Sequence, residues 1–169
     1  YFSEPDHSGH MYGPTDNKTL FQIELADSLL GYLIDSINNL DIAHLINIIL
    51  VSDHGMVEVS EEKMINIDDY LNVNYASYGK GPYIEIYDIQ NENNDSTIHI
   101  PHITTYSKQN IPLKYHFKTQ NSGDYLLLAD SGWLLYTNND LYKKGLEIKG
   151  MHGYDPFDMN MHGIFYAYG

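Results

Sequence analysis

A short aliphatic run, Ile46-Asn47-Ile48-Ile49-Leu50-Val51, stops abruptly at Ser52-Asp53-His54-Gly55-Met56, and this junction constrains the fold more than any other stretch. A β-branched run closed by a glycine-containing turn predicts a strand buried on both faces, the kind found inside a parallel sheet. Asp53 and His54 then fall at its carboxyl end, where open α/β sheets place their ligands. Neighbouring side chains on a strand point to opposite faces, so both can serve one site only where the backbone has left the strand, and Gly55 supplies the freedom to turn. A carboxylate beside an imidazole suits a divalent cation such as zinc, although an Asp-His pair alone is equally at home in a loop or a cap.

Upstream, Tyr1-Phe2-Ser3 reads as the end of a strand, and residues 4–14 read as a turn-rich loop because they hold two Pro and two Gly. Asp6 and His10 lie in that loop, and Gly9 lets the backbone bring their side chains together; by themselves they read as a turn former and a surface residue. From Asp16 the pattern becomes helical. Leu20, Ile23, Leu29, Leu30, Leu33, Ile34 and Ile37 recur at three- and four-residue spacing, with Asp16 or Thr19 as the cap, and this apolar stripe predicts core packing. Strand, loop, helix, strand, loop is the order of a βαβ unit, which would lay Asp6, His10, Asp53 and His54 along one sheet edge.

Beyond Met56 the pattern predicts a charged loop over 58–63, a helix or strand over 64–71, an alternating strand over 82–89, a polar turn over 90–96, and strands over 114–117 and 124–136. The last is interrupted at Asp130-Ser131-Gly132. His99, His102, His116 and His162 sit in apolar, strand-like surroundings and read as structural residues. Near the end, Gly150-Met151-His152-Gly153-Tyr154-Asp155-Pro156 surrounds a histidine with glycines, which permits the close backbone approach that a ligand in a loop needs, and 159–168 returns to the core as a strand.

Composition limits the chemistry. The chain has 169 residues, enough for one domain with a core, and a formal charge of −14 with nine Lys and no Arg, which argues against binding a nucleic-acid backbone. A phosphate ligand would find no guanidinium here, so bound cations would have to supply the positive charge. The absence of Cys excludes thiolate sites and disulfides within these residues. No apolar run is long enough to span a membrane, and no repeat or linker marks a domain boundary. Asn17-Lys18-Thr19 and Asn94-Asp95-Ser96 are glycosylation sequons.

Three blocks taken together resemble the nucleotide pyrophosphatase/phosphodiesterase family: Tyr-Phe-Ser-Glu-Pro-Asp-His-Ser-Gly-His-Met-Tyr-Gly-Pro at 1–14, Val-Ser-Asp-His-Gly-Met at 51–56, and His-Gly-Tyr-Asp at 152–155 followed by Met161-His162-Gly163-Ile164-Phe165. The resemblance implies an alkaline-phosphatase-like α/β fold, a mostly parallel sheet flanked by helices. Residues 1–169 would be the C-terminal part of one phosphodiesterase catalytic domain. It also implies two zinc ions, with Asp6, His10 and His152 as ligands of one and Asp53 and His54 as part of the set holding the other. Tyr1 occupies the place of an aromatic that edges the nucleotide pocket. The nucleophilic Thr and the remaining Asp ligand come from segments upstream of Tyr1; Thr15 and Thr19 do not match the nucleophile's motif. His7 stands where a small residue is common and Pro156 where Asn usually follows the Asp, and neither removes a ligand.

The activity implied is zinc-dependent hydrolysis of phosphodiester or pyrophosphate bonds in nucleotides, releasing a nucleoside monophosphate, by an extracellular or cell-surface parent enzyme. Any membrane anchor would lie outside this segment, and the segment alone would be inactive. Three alternatives stay open: a non-catalytic module that binds a nucleotide or lipid headgroup through the metals, a lysophospholipid or choline phosphodiesterase of the same family, and a metal-dependent phosphomutase of the same superfamily. A nucleophilic Thr upstream of Tyr1 discriminates catalysis from binding.

Overall fold

The structure, a computed structural model, describes residues 1–71, 74–87, 99–139 and 147–169. In chain order the elements are α1 (Asp6–Tyr12), α2 (Asn17–Asn38), β1 (Ile48–Val51), β2 (Val57–Glu58), β3 (Met64–Asn66), β4 (Ala76–Tyr78), β5 (Tyr83–Tyr87), β6 (Ile103–Ser107), β7 (Tyr125–Ala129), β8 (Leu134–Tyr136), β9 (Gly150–Met151) and β10 (Phe165–Tyr168). The polar turn expected over 90–96, with its sequon, lies outside the described residues. Among the described residues no helix is long and apolar enough to cross a membrane. The chain divides into two compact units.

The first unit comprises 1–58, 147–152 and 159–169. The Pro and Gly residues that predicted a loop over 4–14 instead frame a helix. Pro5 stands at the N-cap, where a missing N–H costs nothing, and the Glu4 carboxylate accepts the Ser8 amide at 3.1 Å. Gly13 ends α1 at φ 97°, donating to the Gly9 carbonyl at 2.9 Å. Asp6 and His10 therefore share a face because they are four residues apart on a helix, not because a loop folds back. Helix α2 starts where expected, the Asp16 side chain capping the Lys18 amide at 2.8 Å. Thr19 is buried, and its hydroxyl lies 2.7 Å from the Gly13 carbonyl and 3.1 Å from that of Ser8, tying α2 to α1.

Several expectations fail here. The stripe of α2 is not core: Leu20, Ile23, Leu29 and Leu33 are each more than two-fifths exposed. Strand β1 pairs antiparallel with β10, Ile48 facing Tyr168 and Val51 facing Phe165, and Ile49 and Val51 are exposed rather than buried. The described strands of this unit form two-stranded ladders, which offer too little apolar surface to cover a 22-residue helix or both faces of β1. Residues 1–3 form no strand, and Tyr1 is fully exposed. His162 is exposed and precedes β10, so it has no packing role.

The second unit comprises 59–146 and 153–158. An antiparallel sheet in the order β4-β5-β7-β6 is joined by a parallel pair, β3 with β8, the one parallel pairing among the described strands. Burial on both faces belongs to β5 and β7, where Ile84, Ile86 and Leu127 are fully enclosed and Glu85 survives burial by accepting the Gly123 amide at 2.8 Å. The interruption at 130–132 is a turn in which Gly132 takes φ 84°. Residues 114–117 are not a strand: Leu113–Tyr115 form a 3-10 turn that His116 closes at φ 50°. His102 takes φ 60° ahead of β6, stacks on Trp133 with centroids 3.8 Å apart, and pairs with Asp130 at 3.2 Å.

The segment after His152 is fastened within this unit. Tyr154 is buried, and its hydroxyl donates to the Trp133 carbonyl at 3.0 Å. One oxygen of the Asp155 carboxylate accepts from the Lys114 ammonium at 3.0 Å and the Tyr115 hydroxyl at 2.8 Å, and the other accepts the Phe157 amide at 2.9 Å.

Candidate metal centre

Within the first unit, three separate segments deliver side chains to one place. Helix α1 contributes Asp6 and His10, the turn after β1 contributes Asp53 and His54, and the residue after β9 is His152. The turn after β1 is strapped down on both sides. Ser52 exchanges hydrogen bonds with Ile164, its amide donating to the Ile164 carbonyl at 3.1 Å and its hydroxyl oxygen accepting the Ile164 amide at 2.8 Å. The Gly55 amide donates to the Met161 carbonyl at 3.0 Å. Gly55 does not take a positive φ; it is glycine because a Cβ there would lie 2.0 Å from the Asn160 carbonyl oxygen. Close approach, rather than turn chemistry, is what the position demands.

The Asp6 Oδ1 atom lies at the middle of the cluster. It is 3.5 Å from His10 Nε2, 3.8 Å from His152 Nε2 and 3.9 Å from His54 Nε2, and it is buried with no hydrogen-bond partner. Asp53, largely exposed, reaches His54 Nε2 at 3.6 Å. Two of the imidazoles are oriented from behind: His10 Nδ1 lies 2.8 Å from the Gly150 carbonyl and His54 Nδ1 lies 2.8 Å from the Gly55 carbonyl. A carbonyl only accepts, so each Nδ1 is the donor there and each Nε2 is the nitrogen turned toward Asp6. Backbone acceptors of this kind leave no mark in a sequence, and the reading of the residues did not foresee them.

His152 is stacked against His54 and tilted 51° against His10 at a centroid separation of 5.0 Å. Burial, and then the two neighbouring imidazoles, push its pKa below the ordinary histidine value against the opposing pull of Asp6 and Asp53. The ring is thereby held neutral, the form that donates to a metal.

The donor set fits a cation. Asp6, His10 and His152 each offer a ligand atom within 4.8 Å of the others, and among the described residues they are the set that does so. Tetrahedral zinc with bonds of about 2.0–2.2 Å separates its donors by about 3.3–3.5 Å, close to the separations from Asp6 Oδ1. The Asp6 side chain is 46% exposed, but its Oδ1 is enclosed among the three imidazoles with no donor reaching it, a place a cation would fill. Tyr1, the one residue named for the substrate side, touches none of these groups in the structure's hydrogen bonds or ring contacts, and it is fully exposed.

A family profile described as type I phosphodiesterase / nucleotide pyrophosphatase matches residues 1–155. The chain is 32% identical to bis(5'-adenosyl)-triphosphatase enpp4 of Xenopus laevis and 33% identical to ectonucleotide pyrophosphatase/phosphodiesterase family member 5 of Homo sapiens. In both cases the match covers 100% of this chain and 38% or 36% of the relative. Among solved structures, an inactive Thr-to-Ala variant of murine ectonucleotide pyrophosphatase/phosphodiesterase 5 in complex with AMP superposes with a TM-score of 0.84 at 32% identity, over 100% of this chain and 46% of that one. The chain thus spans less than half the length of these relatives. It shares their alkaline-phosphatase-like fold, and those relatives are named as a triphosphatase and pyrophosphatase/phosphodiesterases, which are hydrolases. With the match running through all three blocks that carry Asp6, His10, Asp53, His54 and His152, this chain belongs to the type I phosphodiesterase / nucleotide pyrophosphatase family.

Proposed function

We propose that these residues are part of the catalytic domain of an extracellular or cell-surface hydrolase that cleaves phosphodiester or pyrophosphate bonds in nucleotides with two zinc ions. Asp6, His10 and His152 hold one ion, and Asp53 and His54 contribute to the other. The observation that carries this reading is the buried, unpartnered Asp6 Oδ1 facing three imidazole Nε2 atoms at 3.5–3.9 Å. The AMP bound to the murine relative supports a nucleotide as the small-molecule partner.

When bound, the cations supply the positive charge that a transferring phosphoryl group requires and that this Arg-free chain lacks. The chain's own groups supply the rest. Asp6 is pre-oriented by its place on the first turn of α1, and His10 and His54 by the carbonyls behind them, so the donors are in place before substrate arrives. The nucleophile on this reading is a Thr from another part of the enzyme; the inactive Thr-to-Ala variant of the murine relative supports a Thr in that role. Asp53, largely exposed, borders the site beside His54.

His152→Ala in the full-length enzyme tests the reading. Turnover of a dinucleotide should fall by at least about a hundredfold, with loss of zinc measured by elemental analysis. Unchanged zinc content with retained turnover removes His152 from the site.

A further inference from the structure

The separation of His10 and His152 depends on a contact that has almost no side chain in it. Helix α1 crosses the strand β9 where Gly9 meets Gly150, and His10 is hooked onto that strand twice: its carbonyl accepts the Lys149 amide at 2.7 Å and its Nδ1 donates to the Gly150 carbonyl at 2.8 Å. A Cβ on Gly150 would sit 2.3 Å from the Gly9 carbonyl oxygen, which cannot swing aside cheaply because it accepts the Gly13 amide at 2.9 Å. The same Cβ would sit 2.7 Å from Met56 Sδ, and a Cβ on Gly9 would sit 2.4 Å from that sulfur. Met56 leads into β2, which pairs with β9 through Val57 and Met151, so its thioether fills the space left by the two glycines.

We propose that Gly9, Gly150 and Met56 are positioning residues that set the distance between His10 and His152 and so the zinc affinity of the site. This rests on the reading of Asp6, His10 and His152 as ligands. The three ligand-bearing segments meet at this one junction: α1 below Asp6 and His10, Met56 two residues after His54, and Gly150 two residues before His152. Relieving the 2.3 Å approach to the 3.0 Å below which Cβ atoms are essentially not found opens the junction by roughly 0.7 Å. Metal–ligand distances tolerate about 0.2 Å, so the displacement is too large for the ligands to absorb unchanged.

The two glycines differ in what they meet, and the test uses that difference. Gly9 faces the flexible end of a side chain, whereas Gly150 faces backbone. In the full-length protein, zinc affinity is measured by competition with a chelating dye and ligand geometry by the absorption spectrum of the cobalt-substituted site, with thermal unfolding of the metal-stripped protein followed in parallel. Gly150→Ala should weaken zinc binding by about ten- to a hundredfold, and adding Met56→Ala should not restore it. Gly9→Ala should weaken it by about three- to tenfold, and adding Met56→Ala should bring affinity and the cobalt spectrum back toward the wild-type values. Where Gly150→Ala does not fold, the Gly9 and Met56 pair decides alone. Wild-type zinc affinity in Gly9→Ala, or equal rescue at both glycines, overturns the proposal. Failure of the wild-type protein to bind zinc at all would instead sink the metal-centre reading beneath it.

Discussion

The imidazoles of His54 and His152 lie face to face, their centroids 3.5 Å apart and their planes 13° from parallel. They reach this arrangement from positions 98 residues apart, and the stack places His54 Nε2 between two carboxylates, 3.6 Å from Asp53 Oδ1 and 3.9 Å from Asp6 Oδ1. His54 thus stands at the border between the two proposed cation positions. His54→Ala should reduce bound zinc in the full-length enzyme from about two equivalents to about one, because Asp6, His10 and His152 remain a complete protein set for the first ion. Elemental analysis of the purified variant checks this, and loss of both ions would show that the stack is needed for either.

Thr19 is the buried fastener between α1 and α2. Thr19→Val keeps the shape but leaves the Ser8 and Gly13 carbonyls facing a methyl group, and should cost about 1–2 kcal/mol in chemical denaturation. Thr19→Ser retains the hydroxyl and should lose less than half as much. A full loss in Thr19→Ser with none in Thr19→Val would mean that the methyl group, not the hydroxyl, holds the helices together.

Asp155 gives the second unit a dependence on acid. Burial raises its pKa, but the Phe157 amide, the Tyr115 hydroxyl and the Lys114 ammonium outweigh burial and leave it below the ordinary aspartate value. A carboxyl whose pKa is lower in the folded than in the unfolded chain contributes stability that is complete above the unfolded pKa and disappears as pH falls through the folded one. The side chain is 35% exposed, so solvent screening keeps the contribution near 1 kcal/mol. Denaturation midpoints of wild type and Asp155→Asn should differ by about that amount at pH 7 and converge in acid, as pH falls through the lowered folded-state pKa. A difference that persists undiminished in acid would assign the effect to packing.

On the proposal that the nucleophilic Thr comes from another part of the enzyme, the 169-residue chain expressed alone should hydrolyse a chromogenic nucleotide ester no faster than a zinc blank. Steady turnover by this piece, abolished by His152→Ala, would show that the metal centre hydrolyses substrate without that Thr.

The residue types at the centre were legible from the sequence, because Asp53-His54 after an aliphatic run and His152 between glycines are local patterns with a chemical meaning. The helix α2 was legible with its cap for the same reason, being written in three- and four-residue spacing. The element that holds Asp6 and His10 was misread. Pro5, Gly13 and Pro14 are breakers, and a breaker marks an edge without saying whether a helix or a loop lies between two edges. The burial of β1 was misread because an aliphatic strand looks the same whether its neighbours are present in the same ladder or not.

The sequence by itself determined which donors the chain possesses: oxygen and imidazole nitrogen without thiolate sulfur, and no guanidinium for phosphate. It also determined that they sit in three blocks framed by glycine, since these are properties of single residues and near neighbours. Only the tertiary structure decided that Asp6 Oδ1 would be the buried hub, that Gly55 and Gly150 would turn their carbonyls onto imidazoles, and that Gly9 would press against Gly150. Those relationships join residues as many as 146 positions apart, as Asp6 and His152 are, and the glycine contacts among them run through backbone atoms that every amino acid carries. No residue identity can announce them before the chain has folded.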